Sequence, residues 1–198
     1  MRHGRTAWNA GRRFQGHSDI PLDDEGRAQA SALVALLDRV RIDLAVASDL
    51  SRAAETARIV LGARQVPLRL DADWREMRFG DWEGLTWEQI VALQPELDDP
   101  SRETSVKNYT PARGETFDDL CARVRRALDR VVAETPPDGG ALVATHAGPL
   151  HALLSVLLGD AEREALKVRF LTASITRFRL TNETWSLTRL NQTAGAAR

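Results

Sequence analysis

The first nine residues combine side chains suited to anion binding and to nucleophilic attack. Arg2 can offer a planar fork of N–H donors to a phosphate or carboxylate, and Gly4 lets the backbone turn and approach a ligand closely. Thr6 and Asn9 add polar groups within the next turn. A neutral His3 imidazole is a fair nucleophile toward phosphorus near neutral pH. The alternative is a polar terminus without fixed structure, so the interpretation depends on further cations and an acid elsewhere in the chain.

The rest of the chain supplies these groups. Arg52 and His146 follow short apolar segments, residues 43–47 and 141–145, that are typical of buried strands. Ligands of open parallel sheets bind beyond the carboxyl ends of the strands, so we expect these two side chains at one edge. Glu76 lies in a segment that is rich in tryptophan, glycine and acids. The sequence therefore predicts a second arginine, a second histidine and an acid around His3.

Each of these residues also has a purely structural interpretation. Arg52 begins a helix, where a solvated arginine is common, and Glu76 has neighbouring arginines with which to form an ion pair. His146 at a strand end is compatible with a hydrogen-bonded core histidine. His17, in a loop, favours a surface role, and His151, one helical turn past the strand end, is a candidate for shaping the pocket.

The elements that must position these groups alternate along the chain. The predicted strands are 43–47, 66–71 and 141–145, and the predicted helices are 23–37, 52–60, one capped by Thr86, 116–131 and one beginning at 146. This alternation favours an α/β fold with three α/β/α layers, in which a mainly parallel central sheet is flanked by helices on both faces. We expect one domain over residues 1–198, with a flap around 85–113 and a C-terminal hairpin around 174–191.

Composition limits the classes of protein and partner. The chain has 198 residues, 43% of them hydrophobic, and a net charge of −1, which predicts a soluble globular protein without nucleic-acid or membrane partners. Cys121 is the sole cysteine, so an intrachain disulfide and a cysteine-rich zinc site are excluded. The longest apolar run is far shorter than the roughly 20 residues that span a bilayer, and we expect a cytoplasmic location. The edge of the C-terminal hairpin is a candidate surface for a homodimer.

Six segments in a fixed order carry a resemblance to a known family. They are Arg2-His3-Gly4 with Thr6 and Asn9, then Gln15-Gly16, 48–53 with Thr56, 75–84, Gly114-Glu115 and 145–148. Together they resemble the histidine phosphatase superfamily, also called the phosphoglycerate-mutase-like family. Each segment alone is weakly specific, and the ordered set is strongly so.

The resemblance implies hydrolysis of small phosphomonoesters through a phosphohistidine. His3 would be the nucleophile, with Arg2, Arg52 and His146 around the phosphate. Glu76 would donate a proton to the leaving alkoxide and then activate water. Further phosphate-binding residues implied by the family are Asn9, Gln15, Gly16 and Ala147. We expect no metal and no cofactor, because arginines and histidines supply the cationic clamp, and the expected partner is a small phosphorylated metabolite.

Three departures from the family pattern bear on the activity. Mutases of this family usually have an arginine after the acid, whereas this chain has Met77, and their insertion is longer and more basic than residues 85–113. Both differences favour a phosphatase, with a phosphoglycerate mutase and a catalytically silent binding or regulatory protein as alternatives. Family members also usually begin with a hydrophobic strand, whereas only Met1 precedes Arg2 here. This predicts weaker support for His3.

Overall fold

A three-stranded parallel sheet forms the centre of the computed structural model, which describes residues 1–98 and 110–195. The strands are β1 (Leu44–Ala47), β2 (Leu68–Leu70) and β3 (Ala141–Ala144), in the spatial order β2-β1-β3. In register, Val46 of β1 lies opposite Val143 of β3. The three strands lie within the predicted segments, each shorter by one or more residues at an end.

Helices cover both faces of this sheet. They are α1 (Ala7–Ala10), α2 (Asp24–Leu37), α3 (Ser51–Leu61), α4 (Trp87–Leu93), α5 (Phe117–Glu134), α6 (Ala147–Leu158) and α7 (Asp160–Leu166). Short 3-10 turns cover Ala72–Trp74, Gly80–Trp82 and Pro95–Asp98. Neither α1 nor α7 was predicted from the sequence, because helices of four and seven residues are too short to show a hydrophobic period.

Side chains of β1 alternate between two separate hydrophobic clusters. Ala45 and Ala47 belong to a cluster with apolar residues of α2 and α3, whereas Val46 belongs to a cluster with α5 and α6. This alternation follows from the two-residue period of a strand, which directs successive side chains to opposite faces. The three-layer α/β/α fold predicted from the sequence is confirmed.

The first three residues extend the sheet at the edge of β3. His3 N–H donates to the carbonyl oxygen of Thr145 at 3.0 Å, and Thr145 N–H donates to Met1 at 2.9 Å. On the other side, Arg2 N–H donates to Ser174 at 3.0 Å. Residues 1–3 are therefore held by backbone hydrogen bonds on both sides. The expectation of weaker support for His3 is wrong for this reason.

The C-terminal hairpin consists of β4 (Ile175–Thr181) and β5 (Thr184–Gln192), which pair in antiparallel fashion. Its turn lies at Asn182 and Glu183, both with positive φ, as a tight hairpin turn requires. A homodimer through this edge stays a prediction, as does the single domain over 1–198. Within the predicted flap, residues 99–109 lie outside the described residues. In the described parts of the chain, no helix is both long enough and apolar enough to cross a membrane, and the cytoplasmic location stays a prediction.

Candidate active site

Two histidine rings from distant parts of the chain lie side by side. The ring centroids of His3 and His146 are 5.0 Å apart, with an angle of 59° between the planes. The backbone pairing of His3 with Thr145 brings them together, because His146 is the next residue along the chain. Both side chains are buried. The structure thus brings together, at one edge of the sheet, the two histidines that the sequence analysis expected to meet there.

The His3 ring is held in one orientation and one protonation form. Its Nδ1 lies 2.6 Å from the carbonyl oxygen of Gly4, which can only accept a hydrogen bond, so Nδ1 carries the proton and Nε2 keeps its lone pair. Burial, and then the charges of Arg2 and Arg52, hold the pKa of His3 well below its usual value. The imidazole is therefore neutral at physiological pH, as a nucleophile must be.

Gly4 is required at this turn because a side chain would not fit, and its backbone does not adopt a special conformation. Its φ is not positive, but a Cβ at this position would lie 2.3 Å from the carbonyl oxygen of Gly26 in α2. Its amide N–H donates to Thr56 Oγ1 at 3.0 Å. The missing side chain therefore lets α2 approach the backbone next to His3, which fixes the position of the ring.

Arg52 is fully buried at the start of α3 and does not lie on the surface. Its Nη1 donates to the carbonyl oxygen of Ser18 and its Nη2 to that of Gly16, both at 2.8 Å, and its Nε donates to His146 Nδ1 at 3.2 Å. These bonds occupy three of the five N–H groups of a guanidinium, which leaves donors for a ligand. Burial lowers the pKa of Arg52 to about 10, so the cation persists at neutral pH.

His146 presents an unused donor at the same place. Since its Nδ1 accepts from Arg52, the proton of the neutral ring is on Nε2, and Nε2 is buried without a hydrogen-bond partner among the described residues. Burial, and then the charges of Arg52 and His3, hold the pKa of His146 well below its usual value. A buried donor without a partner is costly, so this atom is suited to an acceptor supplied by a ligand.

Arg2 is also anchored while keeping donors available. Its Nη1 donates to the carbonyl oxygen of Phe170 at 2.5 Å, and its Nε is buried without a partner in the described part of the chain. Arg2 and Arg52 therefore present two cations beside the neutral His3 ring. This arrangement can bind a dianion such as a phosphate monoester and place it next to a nucleophile.

Glu76 does not pair with its neighbouring arginines. Its Oε1 accepts from the amide N–H groups of Met77 at 2.8 Å and Gly148 at 2.9 Å. A Cβ on residue 148 would lie 2.3 Å from this oxygen, so the glycine is what allows the carboxylate to reach the first turn of α6. Arg75 instead pairs with Asp49 at 2.6 Å. The carboxyl group of Glu76 is thus fixed beside the second histidine segment.

Sequence reasoning missed a buried arginine that holds this acid in place. Arg123 of α5 donates to the carbonyl oxygens of Arg75 at 2.7 Å and Glu76 at 2.8 Å, and pairs with Glu115 at 2.6 Å. The signal in the sequence was an arginine within the apolar stripe of α5, since an arginine at a buried position needs partners and therefore indicates a polar network. His17 Nε2 also lies 3.0 Å from the Glu76 carbonyl oxygen.

Thr6 orients the polar side chains of Asn9 and Gln15. Asn9 Oδ1 accepts from Thr6 N–H at 3.1 Å, and Gln15 Oε1 accepts from Thr6 Oγ1 at 3.0 Å. Their amide nitrogens make no hydrogen bond to the described residues. Both side chains line the cavity, so these N–H groups are available to a bound anion.

A cavity of about 420 Å³ opens next to His3. The predicted site residues that line it are Arg2, His3, Asn9, Gln15, Arg52, Glu76 and Ala147. Two predicted residues, Gly16 and His146, do not line it: Gly16 contacts the site through its carbonyl bond to Arg52, and His146 is fully buried against Arg52 and His3. His151, which the sequence gave as a candidate for shaping the pocket, lines the cavity, as do Arg12 and Arg169, to which the sequence assigned no role.

The family model of the histidine phosphatase superfamily, branch 1, matches residues 1–193. The chain belongs to this superfamily. The resemblance inferred from the six sequence segments is thereby confirmed.

Relatives within the superfamily include named phosphatases. Glucosyl-3-phosphoglycerate phosphatase of Mycobacterium tuberculosis is 39% identical over 166 residues, which are 80% of this chain and 73% of that protein. Adenosylcobalamin/alpha-ribazole phosphatase of Salmonella typhimurium is 32% identical over 94% of this chain and 86% of that protein. A solved structure of the mycobacterial glucosyl-3-phosphoglycerate phosphatase with VO3 has a TM-score of 0.86 at 34% identity and covers 97% of this chain and 96% of that one.

Proposed function

We propose that this member of the histidine phosphatase superfamily is a phosphatase that hydrolyses small phosphomonoesters through a phosphohistidine on His3. One observation carries the proposal: the buried, neutral His3 ring keeps its Nε2 lone pair beside two arginines that retain unused donors. The two relatives described above are named as phosphatases, which supports the same reaction class.

In the first step, His3 Nε2 attacks phosphorus, the new N–P bond forms and the bond from phosphorus to the alkoxide oxygen breaks. Glu76 enters this step protonated and gives its proton to the departing alkoxide. Arg2 and Arg52 hold the phosphoryl oxygens as charge moves to the leaving group, and the Nε2 proton of His146 is a further donor. The product alcohol can then leave.

In the second step, a water molecule attacks the phosphohistidine. Glu76, now a carboxylate, takes a proton from this water, the O–P bond forms and the N–P bond breaks. His3 recovers its Nε2 lone pair, and its Nδ1 proton remains bonded to Gly4 throughout. Inorganic phosphate is released, and Glu76 is again protonated for the next turnover.

The position after the acid argues against the mutase alternative. Met77 is buried in the hydrophobic cluster of α5 and α6, and it contributes only its backbone N–H to Glu76. No cation is therefore offered at this position, where family mutases usually have an arginine. The residues around the phosphate are also complete and anchored, which argues against a catalytically silent protein.

Hydrolysis of p-nitrophenyl phosphate tests the proposal. We expect turnover by the wild-type chain, none by the His3→Ala variant, and an acid-labile phosphoenzyme when the wild type is quenched during turnover. Thermal unfolding of both proteins controls for loss of structure. No turnover and no phosphoenzyme in the folded wild type would favour the silent alternative. Conversion of 3-phosphoglycerate into 2-phosphoglycerate, with bisphosphoglycerate as primer and faster than release of phosphate, would favour the mutase.

A further inference from the structure

The mouth of the cavity carries more positive charge than one phosphate requires. Among its described lining residues are the arginines at positions 2, 12, 13, 52 and 169, and Glu76 is the sole carboxylate among them. The two inner arginines, Arg2 and Arg52, match the two charges of a phosphate monoester. We propose that Arg12 and Arg169 form an outer subsite for a second anionic group, a carboxylate or phosphate, on the same substrate. This inference rests on the proposed function, because it defines the substrate class of that site.

Arg12 has no committed partner for its guanidinium. It lies exposed just after α1, and its side chain forms no ion pair or hydrogen bond with the described residues. Its positive charge does contribute to lowering the pKa of Glu88, after the hydrogen bonds of that residue to its own backbone and to Thr86. The adjacent Arg13, in contrast, is bonded to the carbonyl oxygen of Gly84 at 2.6 Å. Arg12 is therefore the member of this pair whose N–H donors are all uncommitted among the described residues, whereas Arg13 is tethered through its Nη1.

The backbone at Arg12 is held in an unusual conformation. Its φ is +52°, in the left-handed region that a residue with a side chain rarely adopts. Two hydrogen bonds hold it there, from Arg12 N–H to Asn9 at 3.1 Å and from Arg13 N–H to Trp8 at 2.8 Å. The same short helix that carries the cavity residue Asn9 therefore fixes where the Arg12 side chain begins.

Arg169 enters the cavity mouth from a separate part of the chain. Its side chain is exposed and has no ion pair with the described residues, whereas its backbone is fixed. Its carbonyl oxygen accepts from Asn191 Nδ2 at 2.7 Å, and Leu171 N–H donates to Asn191 Oδ1 at 2.9 Å. Arg2 holds the intervening carbonyl of Phe170. The guanidinium thus extends from a pinned segment, which lowers the entropic cost of binding.

Arg169 and Arg2 line the same cavity, so both guanidinium groups face the space that one ligand would occupy. Burial chiefly lowers the pKa of Arg2, the negative charge of Glu76 opposes this effect, and the positive charge of Arg169 makes a smaller contribution that lowers the pKa. Like charges that face one cavity are stabilised when an anion lies between them. A ligand with its phosphate at Arg2 and a second anion at Arg169 would remove this repulsion.

The cavity walls fit the portion of a substrate that joins two anionic ends. Phe14 and Phe79 line one part of it, and Val168 and Phe170 line another. His151, whose pKa burial lowers to about 4, adds a neutral imidazole to this lining. With a volume of about 420 Å³, the cavity accommodates a small carbon skeleton in addition to the phosphate. A small phosphorylated acid or a bisphosphate therefore suits this site better than a phosphate ester that has no second anionic group.

Two probes with the same three-carbon skeleton isolate the second anion: 3-phosphoglycerate, which has a carboxylate, and glycerol 3-phosphate, which has none. Isothermal titration calorimetry, with every protein also carrying His3→Ala so that the probe is not hydrolysed, gives the affinity for each, and release of phosphate by the proteins with His3 intact gives kcat/KM. We expect the wild type to prefer 3-phosphoglycerate about tenfold or more in both measurements, the range of a charge-assisted hydrogen bond. The variant Arg12→Ala/Arg169→Ala should lose this preference and keep its affinity for glycerol 3-phosphate within about twofold.

Matched variants separate a charged subsite from a general effect on the fold. Arg12→Lys/Arg169→Lys should retain part of the preference, because the charge remains. Arg39→Ala removes an exposed arginine that does not line the cavity and should leave the preference unchanged. Equal affinity of the wild type for both probes would overturn the proposal, as would an equal loss for both probes in the double alanine variant.

The same set of measurements keeps the two proposals apart. Hydrolysis of p-nitrophenyl phosphate that depends on His3, without a preference for 3-phosphoglycerate, would refute the outer subsite and support the phosphatase. A preference in calorimetry that is lost in Arg12→Ala/Arg169→Ala, without hydrolysis of any ester, would support the outer subsite and refute the phosphatase.

Discussion

The Nε–H of Arg52 donates a hydrogen bond to Nδ1 of His146 at 3.2 Å, and this bond decides the protonation of the second histidine. The proton of the neutral ring must then lie on Nε2, the atom that lacks a partner among the described residues. Arg52 therefore fixes the proton position of a neighbouring donor, and it keeps N–H groups of its own for the proposed phosphate. Arg52 and His146 therefore form one hydrogen-bonded unit with the carbonyl oxygens of Gly16 and Ser18.

Replacement of Arg52 by lysine should disrupt this unit although the charge is kept. An ammonium group lacks the planar fork that reaches Gly16, Ser18 and His146 together. We expect kcat/KM to fall about 10²–10³-fold, as for loss of one preorganised donor. The free energy of unfolding should fall by about 1–3 kcal/mol for each buried acceptor left without a partner. Steady-state kinetics and urea unfolding measure the two effects.

The matched control for this substitution is Arg58→Lys, an exposed arginine on the same helix. It should change neither quantity by more than a small amount. If Arg52→Lys behaved like Arg58→Lys, then Arg52 would not bind the phosphate.

Glu76→Gln should give a defect that depends on the leaving group. The amide oxygen can still accept from Met77 and Gly148, so the loop is expected to keep its position, but the amide cannot donate a carboxyl proton. For an alkyl phosphate such as glycerol 3-phosphate, we expect kcat to fall about 10²–10⁴-fold. For p-nitrophenyl phosphate, whose phenolate leaves without an acid, the first step should fall much less, as a burst of p-nitrophenol would show. Equal first-step losses for both esters would show that Glu76 is not the acid.

Arg123→Leu should produce a weaker form of the same selective defect. Arg123 touches no reacting atom, but it holds the carbonyl oxygens of Arg75 and Glu76 and pairs with Glu115. It is therefore a positioning residue for the acid. We expect kcat to decrease more for glycerol 3-phosphate than for p-nitrophenyl phosphate, in addition to a loss of stability. Arg125→Leu, at an exposed position of the same helix, is the control. A stability loss with equal effects on both esters would reduce Arg123 to a structural role.

Because of His151, the free energy of unfolding should decrease as the pH falls. Burial, and then the charges of Arg163 and Arg2, lower its pKa to about 4 from an ordinary value of 6.5. Below pH 6.5 the unfolded chain therefore binds a proton that the folded chain does not, so stability falls with decreasing pH until about pH 4. The full slope for one such group is about 1.4 kcal/mol per pH unit.

The measurement compares wild type and His151→Asn by urea unfolding at pH 7.5 and at pH 5.5. His3 and His146 contribute to the acid loss in both proteins, so their effect cancels in the difference. We expect the wild type to lose about 1 kcal/mol more than the variant between the two pH values. Identical losses would mean that His151 is protonated as readily in the folded protein as in the unfolded chain.

Activity should survive removal of divalent metals. The cationic groups that line the cavity beside His3 include the guanidinium groups of Arg2 and Arg52, which repel a divalent cation and, in the proposed mechanism, bind the phosphate oxygens directly. We expect kcat/KM with p-nitrophenyl phosphate to be unchanged after dialysis against EDTA. A loss of activity that Mg²⁺ restores would contradict this assignment of the phosphate clamp.

The sequence by itself determined the order of the strands and of most helices, and it indicated the chemistry of the candidate site. Alternating apolar segments and capping residues such as Thr86 and Thr116 placed helices and strands, because these signals are local. The position of Arg52 and His146 after two strands indicated a shared edge, since parallel strands end at the same side of a sheet. The helices α1 and α7 were missed because they are too short for a hydrophobic period, and α7 also lacks a side-chain cap such as the one that revealed α4.

Only the tertiary structure decided which of these residues face the cavity and in what state. No local pattern indicates that His3 Nδ1 is bonded to Gly4, that Arg123 reaches across from α5 to Glu76, or that Arg12 and Arg169 share one cavity mouth. The burial that lowers the pKa of both histidines likewise arises from packing of distant segments. Hydrogen-bond partners and desolvation depend on distances between residues far apart in the chain, and folding alone fixes those distances.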